Sequence, residues 1–337
     1  MLSASTGMNM TELEQRFPFR EGYFQLLSHP DCFLHEVGEW HPETPERLGG
    51  ILRGCLTLPT QLPVSFRMPS PALLPQLELV HDREYLLSLE ESCRESRDSF
   101  MSPDNHISRE TFRAVLAAGG CTLALASTLL GNGAGFALIR PPGHHAGRDR
   151  AEGFCFINHI ALAIETIRQK EPGATFLVVD FDVHHGNGID YIYYDDPKVF
   201  YYSLHGAPDH IYPYSGYLHE TGQGEGTGYT CNITLSLESS GDDWLRQFEL
   251  HLRDCEQKMR PDYLLVGAGF DAHREDPFGV MKVEDRHFLA AVRQLKGIAD
   301  THCAGRVGFF LEGGYSPMVL ERLVPQIITI LAENRTV

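Results

Sequence analysis

Two aspartates and a histidine have the types and spacing of a metal site. Asp182 and His184 are two residues apart after a predicted strand, so their side chains face the same side of extended backbone. Asp271 follows a second predicted strand and would add another carboxylate. Three protein ligands with an open position are typical of catalytic zinc, and iron(II) or cobalt(II) would suit the same donors. Either aspartate alone is more simply read as a helix or turn cap, so the hypothesis depends on the set.

A histidine pair and a tyrosine supply groups for proton transfer and hydrogen bonding. His144 and His145 follow Pro-Pro-Gly, and imidazoles near their neutral pKa can accept a proton and return it. Tyr315 ends a Glu-Gly-Gly-Tyr turn, where its hydroxyl could donate to a carbonyl oxygen that gains charge. Asp180 faces the same side as Asp182. It could hold an imidazole, bind a monovalent cation, or be a core carboxylate satisfied by backbone amides.

Predicted strands place these residues at one edge of a sheet. The strands are apolar runs of the kind buried on both faces of a parallel sheet, at residues 135–139, 175–181, 199–204, 263–268 and 307–311. Helices are predicted between them, at residues 109–130, 158–170, 242–259, 284–299 and 317–332. This order predicts a doubly wound α/β fold, mainly parallel, with helices on both faces. Because parallel strands end at the same edge, four of them would bring the polar motifs into one crevice.

Composition narrows the class of protein. The chain has 337 residues, 42% of them hydrophobic and 22% charged, and no linker-like stretch divides it, so one catalytic domain spanning 1–337 is predicted. The net charge of −17 argues against binding nucleic acid. The same charge could attract cationic substrates such as polyamines or lysine-rich peptides, or simply maintain solubility.

Segment and cysteine patterns predict a cytoplasmic protein that does not bind membranes. The amino terminus lacks an apolar signal core, and no run of the ~20 apolar residues that a membrane span needs is recognised. The eight cysteines are scattered without a CxxC pair, which is typical of reduced, mostly buried thiols. The sequence leaves a homo-oligomer possible.

Five ordered motifs resemble the histone deacetylase and acetylpolyamine amidohydrolase superfamily. They are RPPGHHA, EGFCFIN, VDFDVHHGNG, AGFDAH and LEGGY. HPETPERL at residues 41–48 and SPDNHIS at residues 102–108 also fit, so the resemblance covers about residues 42–315. Asn187 and Glu312 look more like the class II branch of that superfamily than class I.

The resemblance implies the arginase–deacetylase fold and one zinc held by Asp182, His184 and Asp271. It assigns His145 as general base and acid, and His144 as its electrostatic partner, oriented by Asp180. Tyr315 would polarise the scissile carbonyl. The implied chemistry is zinc-dependent removal of an acyl group, expected to be acetyl, from acyl-lysine, with acetylpolyamine or another N-acyl amine as the alternative substrate.

Further residues carry roles by the same resemblance. Asp104 would grip substrate backbone amides, and Arg47 would lie beneath the pocket. The acyl-lysine tunnel would be formed by Gly153, Phe154 and Tyr212. A structural potassium would use Asp180, Ser203 and the carbonyls of Asp182, His184 and Leu204. A second cation site, a weaker transfer, would involve Tyr193, Asp196, Val199 and Tyr229.

Three residues depart from the common family pattern. Asn187 stands where an aspartate is common, so the partner of His145 would be a neutral amide. Tyr212 replaces a frequent phenylalanine and makes one tunnel wall more polar. Phe278 stands where polyamine-selective class II relatives place a glutamate, which favours acyl-lysine over polyamine.

Two rival functions use the same residues differently. An arginase-like ureohydrolase would bind two manganese ions, but His185 and Ala272-His273 stand where further carboxylates would be needed. A non-catalytic module that recognises acylated lysine would need no general base, yet the histidine pair, the metal ligands and Tyr315 are all present.

Overall fold

The computed structural model describes residues 4–38 and 40–333. The predicted domain bounds of 1–337 also include positions 1–3, 39 and 334–337, which lie outside the described residues. Within the described ranges the α-helices are α1 (Ala4–Arg16), α2 (Glu46–Cys55), α3 (Leu74–Leu77), α4 (Arg83–Arg94), α5 (Thr111–Leu130), α6 (His159–Arg168), α7 (Asn187–Tyr193), α8 (Gly241–Lys258), α9 (Asp285–His302) and α10 (Pro317–Ala332). Short 3₁₀ helices cover Pro30–Phe33 and Gly224–Gly226.

Eight parallel strands form the central sheet. They are β1 (Phe24–Leu27), β2 (Val64–Arg67), β5 (Gly135–Ala137), β6 (Phe176–Asp180), β7 (Val199–Gly206), β8 (Thr230–Leu235), β9 (Tyr263–Ala268) and β10 (Val307–Leu311). Their order in the sheet is β2-β1-β5-β10-β9-β6-β7-β8. A separate antiparallel pair joins β3 (Ser99–Phe100) to β4 (Ser102–His106). The predicted α/β class is confirmed.

The central strands are apolar because both of their faces are covered. Every residue of β6, β9 and β10 is buried, as expected for a parallel sheet packed between helices. In register, Phe176 of β6 pairs with Tyr263 of β9 on one side and Val199 of β7 on the other. All five predicted strands are present. The strand predicted at 135–139 ends two residues earlier, at Ala137, where the chain turns towards the histidine pair.

Helix ends carry the capping residues that their sequences supply. The Asn158 side chain accepts the backbone N–H of Ala161 at the start of α6, and Ser316 accepts that of Val319 at the start of α10. Such caps satisfy backbone donors that the first turn leaves unpaired. A Cβ on Gly54 of α2 would lie 2.1 Å from the carbonyl oxygen of Glu321 in α10, so only glycine allows these two helices their close approach.

Helix α5 is long and apolar enough to cross a membrane by length and composition, and among the described residues it is the one helix that passes this test. A helix with this property was not predicted from the sequence. Its residues Val115, Cys121, Leu125 and Leu129 are buried in the core, and the helix packs against α6 and β5. Core helices of this kind share the composition of membrane spans.

The sheet order explains how distant motifs meet. The four strands that precede the polar motifs, β5, β10, β9 and β6, are consecutive in the sheet. Chain segments near positions 140, 180, 270 and 312 therefore leave the same edge side by side. This edge is where open parallel sheets bind ligands.

Stability should fall between pH 7.5 and pH 5 because the buried ring of His81 stays neutral in the fold. Burial lowers the pKa of His81 from 6.5 to about 4. The His81 Nε2 atom accepts the backbone N–H of Asn158 at 2.9 Å, which requires a neutral ring. Below pH 6.5 the unfolded chain binds a proton that the folded chain refuses, so His81 alone should remove about 2 kcal/mol of unfolding free energy by pH 5.

Urea unfolding of wild type and His81→Gln at several pH values tests this linkage. The glutamine amide can replace the hydrogen bonds of His81 to the Asn158 N–H and to the Arg148 carbonyl oxygen. It does not titrate, so the variant should lose less stability on acidification. Parallel pH profiles of the two proteins would contradict the assignment.

Candidate active site

Asp182, His184 and Asp271 converge on one point at the carboxyl edge of the sheet. His184 Nδ1 lies 3.0 Å from Asp182 Oδ1 and 3.0 Å from Asp271 Oδ2. The potential ligand atoms of the three residues all lie within 4.8 Å of one another. Both carboxylates are fully buried. The structure therefore brings together the set that the sequence predicts, and its role as a metal site stays a prediction.

Backbone amides orient the two carboxylates. Asp182 accepts the N–H of His184 at Oδ1 and that of Gly313 at Oδ2. Asp271 Oδ1 accepts the N–H of Val183 at 2.9 Å, which leaves its other oxygen towards His184. A Cβ on Gly313 would lie 2.3 Å from Asp271 Oδ2 and 2.5 Å from Asp182 Oδ2. Glycine at this turn thus keeps open the space between the carboxylates.

The charges of the three residues show that the space between the two carboxylates favours a cation. Burial opposes ionisation of Asp182, but His144 and His184 outweigh it and hold its pKa well below the usual range. Burial and the neighbouring Asp182 carboxylate raise the pKa of Asp271. Burial disfavours the charged ring of His184, yet hydrogen bonds to both aspartates raise its pKa to about 10. A positive charge is therefore stabilised between the carboxylates, and a divalent cation fits this oxygen and nitrogen donor set.

The two histidines of the Pro-Pro-Gly-His-His turn have different partners. His144 Nδ1 donates to Asp180 Oδ2 at 3.0 Å, whereas His145 Nδ1 lies 2.7 Å from Asn187 Oδ1. Their ring centroids are 3.9 Å apart. The predicted pairing of His144 with Asp180 and of His145 with a neutral amide is therefore present.

These partners give the two rings opposite protonation. Burial lowers the pKa of both, but for His144 the carboxylates of Asp182 and Asp180 outweigh burial and raise it to about 10. Within residues 4–38 and 40–333 no carboxylate is hydrogen-bonded to His145, and the positive charges of His144 and His184 add to burial, so its pKa falls well below the ordinary value. His145 is thus a neutral ring able to accept a proton.

A buried ion network fixes both turns that carry the chemistry. Glu43 pairs with Arg140 at 2.6 Å, at the start of the histidine turn, and with Arg47 at 2.7 Å. Arg47 also donates to the carbonyl oxygens of Gly314 and Glu312 in the tyrosine turn. The predicted place of Arg47 beneath the pocket agrees with these contacts.

The ring of Tyr315 is held between aromatic and cationic neighbours. The Arg47 guanidinium lies 4.9 Å from its centroid, and Phe278 and Phe154 make edge contacts at 5.1 and 6.1 Å. Its backbone N–H donates to Asp276 Oδ2. Burial, followed by Asp271, raises the pKa of the phenol, so the hydroxyl keeps its proton and can donate a hydrogen bond.

Gly153 and Tyr212 lie beside the histidine pair. The Tyr212 ring centroid is 5.1 Å from that of His145. Gly153 has φ +54°, and a Cβ there would lie 2.3 Å from His145 Cδ2 and 2.9 Å from Tyr212. Phe154 follows with φ 70° and packs against His41 with centroids 4.4 Å apart. The predicted tunnel residues therefore surround His145 and Tyr315.

Asp104 joins this wall through the neighbouring hairpin. It lies on β4 with a partly exposed side chain. The His41 Nε2 atom is 3.2 Å from its carbonyl oxygen, and Ser102 donates to its carboxylate. Asp104 therefore lies next to His41, which packs against Phe154, and its carboxylate is partly exposed to solvent. The predicted contact of Asp104 with substrate backbone stays a prediction.

The predicted cation residues are arranged differently in the two proposed sites. Asp180 of β6 pairs in register with Ser203 of β7, and both side chains are fully buried. At the second site the carbonyls of Tyr193, Asp196 and Tyr229 already accept backbone N–H groups, and the Asp196 carboxylate pairs with Arg168 at 2.7 Å. These contacts do not show whether a cation binds at either place, so both sites stay predictions.

Three acidic residues that contact the site residues or their turns were not predicted from the sequence. Glu43 is one of them, although its motif HPETPERL was noticed. Asp276 orients the tyrosine turn, and burial followed by Asp271 raises its pKa to about 7. Glu152 contacts the amide of Asn187 at 2.7 Å. Each is an acidic residue in a loop, and its sequence neighbourhood does not reveal which backbone or amide group it meets.

Two carboxylates and an imidazole that could hold a cation, beside a proton acceptor and a phenol donor, are typical of metal-dependent hydrolases. A model of the histone deacetylase domain matches residues 41–331. The chain belongs to the histone deacetylase family. Members of that family are metal-dependent deacetylases, which are amidohydrolases, and the chain is an enzyme of this type.

Several named proteins resemble this chain in sequence or in structure. The chain is 37% identical to a probable deacetylase of Methanothermobacter thermautotrophicus over 88% of its length and 87% of the relative's. It is 35% identical to histone deacetylase 14, chloroplastic, of Arabidopsis thaliana, covering 87% and 73%. An acetylpolyamine aminohydrolase from Burkholderia pseudomallei has a similar structure, with TM-score 0.80, 27% identity, and coverage of 92% and 99%.

Gly313→Ala should weaken metal binding because its new methyl group would occupy the space between the two aspartates. We expect zinc affinity to fall on the order of 10- to 100-fold, the range seen when groups supporting metal ligands are disturbed. Calorimetric titration of the metal-free protein with zinc measures this change.

Gly297→Ala is the matched control, because a Cβ at Gly297 in α9 has no neighbour within 4 Å. It should bind zinc as wild type does and unfold at slightly higher temperature, since alanine favours a helix over glycine by roughly 0.5–1 kcal/mol. Wild-type zinc affinity in the folded Gly313→Ala protein would argue against a metal between Asp182 and Asp271.

Proposed function

We propose that the chain is a zinc-dependent deacylase that removes an acetyl group from acetyl-lysine in a peptide. The observation that carries this choice of substrate is the contact of Phe278 with Tyr315 at the mouth of the site. The Phe278 ring is 42% exposed and packs edge-on against Tyr315 at 5.1 Å. The apolar Phe278 side chain offers no charge to the second ammonium group of a polyamine, whereas it suits the neutral backbone around an acetylated lysine.

Asp182, His184 and Asp271 would hold the ion. When bound, zinc supplies positive charge that polarises the amide carbonyl and lowers the pKa of water towards neutrality. Iron(II) or cobalt(II) remains an alternative for the same donors. A potassium ion at Asp180 and Ser203, with carbonyls of Asp182, His184 and Leu204, would stabilise the strand ends that carry the metal ligands.

His145 and Tyr315 would perform the proton transfer and carbonyl activation. The neutral His145 ring takes the proton of the attacking water at Nε2, because Nδ1 faces Asn187. The Tyr315 hydroxyl donates to the carbonyl oxygen as that oxygen gains charge. His145 then gives the proton to the lysine nitrogen as the bond between that nitrogen and the acyl carbon breaks, and acetate and the peptide with a free lysine amine leave.

His144 would support this step electrostatically. Its ring is charged because Asp182 and Asp180 raise its pKa, and its centroid lies 3.9 Å from that of His145. A fixed positive ring at this distance opposes protonation of His145, so the proton gained from water is readily given up again.

An acetylpolyamine is the second candidate substrate. The structural similarity to the acetylpolyamine aminohydrolase and the net charge of −17 favour it. Within the described residues, Asp104 offers a partly exposed carboxylate near the mouth. It could meet either a substrate backbone N–H or an ammonium group, so a direct comparison of substrates is needed.

Hydrolysis of an acetyl-lysine peptide and of mono-acetylated spermidine, each with and without a chelator, tests the proposal. Chelator-sensitive cleavage that favours the peptide supports it. Preference for the polyamine selects the second candidate. Zinc binding without cleavage of either compound, or of longer acyl-lysines, would instead support a module that only binds acylated lysine.

Tyr315→Phe should lower kcat by about 100-fold or more, the usual cost of losing one donor to a developing oxyanion. Zinc affinity should be unchanged, because the hydroxyl is not in the ligand set. Steady-state kinetics with a zinc titration check both statements. Turnover near that of wild type would exclude the assigned role of the phenol.

Phe278→Glu should shift selectivity towards acetylated polyamine. A partly exposed carboxylate facing an ammonium group contributes roughly 0.2–1 kcal/mol, so the ratio of kcat/KM values should move about 1.4- to 5-fold, and less at high salt. Phe278→Gln is the control for lost aromatic packing. An equal shift in both variants would show that charge is not responsible.

A further inference from the structure

A chain of polar contacts links His145 to the carboxylate of Glu152. His145 Nδ1 lies 2.7 Å from Asn187 Oδ1, and Asn187 Nδ2 donates to Glu152 Oε2, also at 2.7 Å. These two short contacts form a line from the proposed general base to an acidic residue 35 positions away from the asparagine. We name this line, Glu152–Asn187–His145, the amide relay.

The chemistry of the amide relay allows one arrangement. An asparagine amide presents either an acceptor or two donors, depending on how it is turned. An ionised carboxylate can only accept, so Glu152 requires the NH₂ group of Asn187 on its side. The Asn187 oxygen must then face His145. Because that oxygen can only accept, His145 Nδ1 must carry the hydrogen, and Nε2 keeps its lone pair.

Without Glu152 the orientation of the amide would be undetermined. A cavity of about 330 Å³ borders His145, Asn187 and Glu152. Water in a space of this size can donate to the Asn187 oxygen or accept from its nitrogen. A reversed amide would present NH₂ to His145 and favour the tautomer with hydrogen on Nε2, which cannot take a proton there.

Glu152 is itself held in place. Its backbone N–H donates to the Cys155 carbonyl oxygen at 3.2 Å, and its own carbonyl accepts from Cys155 at 2.8 Å. The other carboxylate oxygen, Oε1, lies 3.1 Å from Arg150 Nη1. Both oxygens therefore have partners, and the same tight turn places Gly153 against His145.

We propose that Glu152 is a positioning residue that fixes the orientation of the Asn187 amide and thereby the Nδ1–H tautomer of His145. The inference rests on the proposed function for the role of His145 as base, but the tautomer is a property that can be measured without turnover. The negative charge lies one residue further from the ring than a directly contacting aspartate would place it. The relay thus selects the tautomer while leaving His145 with a neutral partner.

Glu152→Met tests the relay, because methionine has similar length and offers no strong acceptor. Nitrogen-15 NMR of histidine-labelled, metal-free protein reports which ring nitrogen of His145 carries hydrogen, with the His145→Gln spectrum giving the assignment. Wild type should show the Nδ1–H form. Glu152→Met should show a mixture, and its kcat should fall about 10-fold at unchanged zinc affinity, part of the 10²- to 10⁴-fold that acid–base groups contribute.

Two further variants separate positioning from structure. Glu152→Gln keeps the length of the side chain, but its amide can either accept from Asn187 or donate to it, so it should also show a mixture of tautomers and a reduced kcat. Arg150→Met removes only the exposed partner of Oε1 and should behave as wild type in both measurements. A fall in the activity of Glu152→Gln with a pure Nδ1–H form would point to a structural effect.

The outcomes distinguish this inference from the proposed function. A pure Nδ1–H form in folded Glu152→Met would overturn the relay even if the enzyme is an active deacetylase. A mixture in that variant would support the relay even if wild type hydrolyses neither test substrate, a result that would count only against the proposed function.

Discussion

One buried carboxylate, that of Glu43, connects the segments on which the site depends. Its charge is surrounded by Arg140 and Arg47, all three side chains being fully buried. Burial opposes its ionisation, yet the two guanidinium groups outweigh burial and keep its pKa below the ordinary value. A buried charge is tolerated only when it is paired in this way. Arg140 begins the histidine turn, and Arg47 donates to the carbonyls of Glu312 and Gly314 before Tyr315. The histidine pair and the phenol are therefore fixed relative to each other through a residue that contacts neither.

The sequence predicted the inner part of the fold better than its edges, for a physical reason. The strands at 176–180, 263–268 and 307–311 are buried on both faces and read as continuous apolar runs. The edge strands β2 and β8 are short or interrupted by polar residues, and β1 has only four residues, so none of the three was predicted. The predicted site residues come together because they directly follow the inner strands, and sheet order made those strands neighbours.

Residues that orient others were less accessible from sequence. The motif EGFCFIN predicted roles for Gly153 and Phe154. The role of Glu152 depends instead on the orientation of the Asn187 amide, 35 positions later in the chain. In the same way, Asp276 acts on the backbone of Tyr315, 39 positions away. A single polar residue in a loop is not part of a periodic pattern, so only the folded structure shows which groups it contacts. The potassium and second cation sites, and the cytoplasmic location, stay predictions.

The two histidines show how the same residue type is given two functions. His144 contacts Asp180 directly and its pKa rises to about 10, while His145 contacts an amide and its pKa is lowered. A carboxylate in direct contact with His145 would raise the pKa of that ring, as Asp180 does for His144. Placing an amide between His145 and the carboxylate of Glu152 keeps the orienting effect of an acidic group but removes most of its attraction for a proton. In this chain the neutral Asn187 therefore keeps His145 able to accept a proton next to the charged ring of His144.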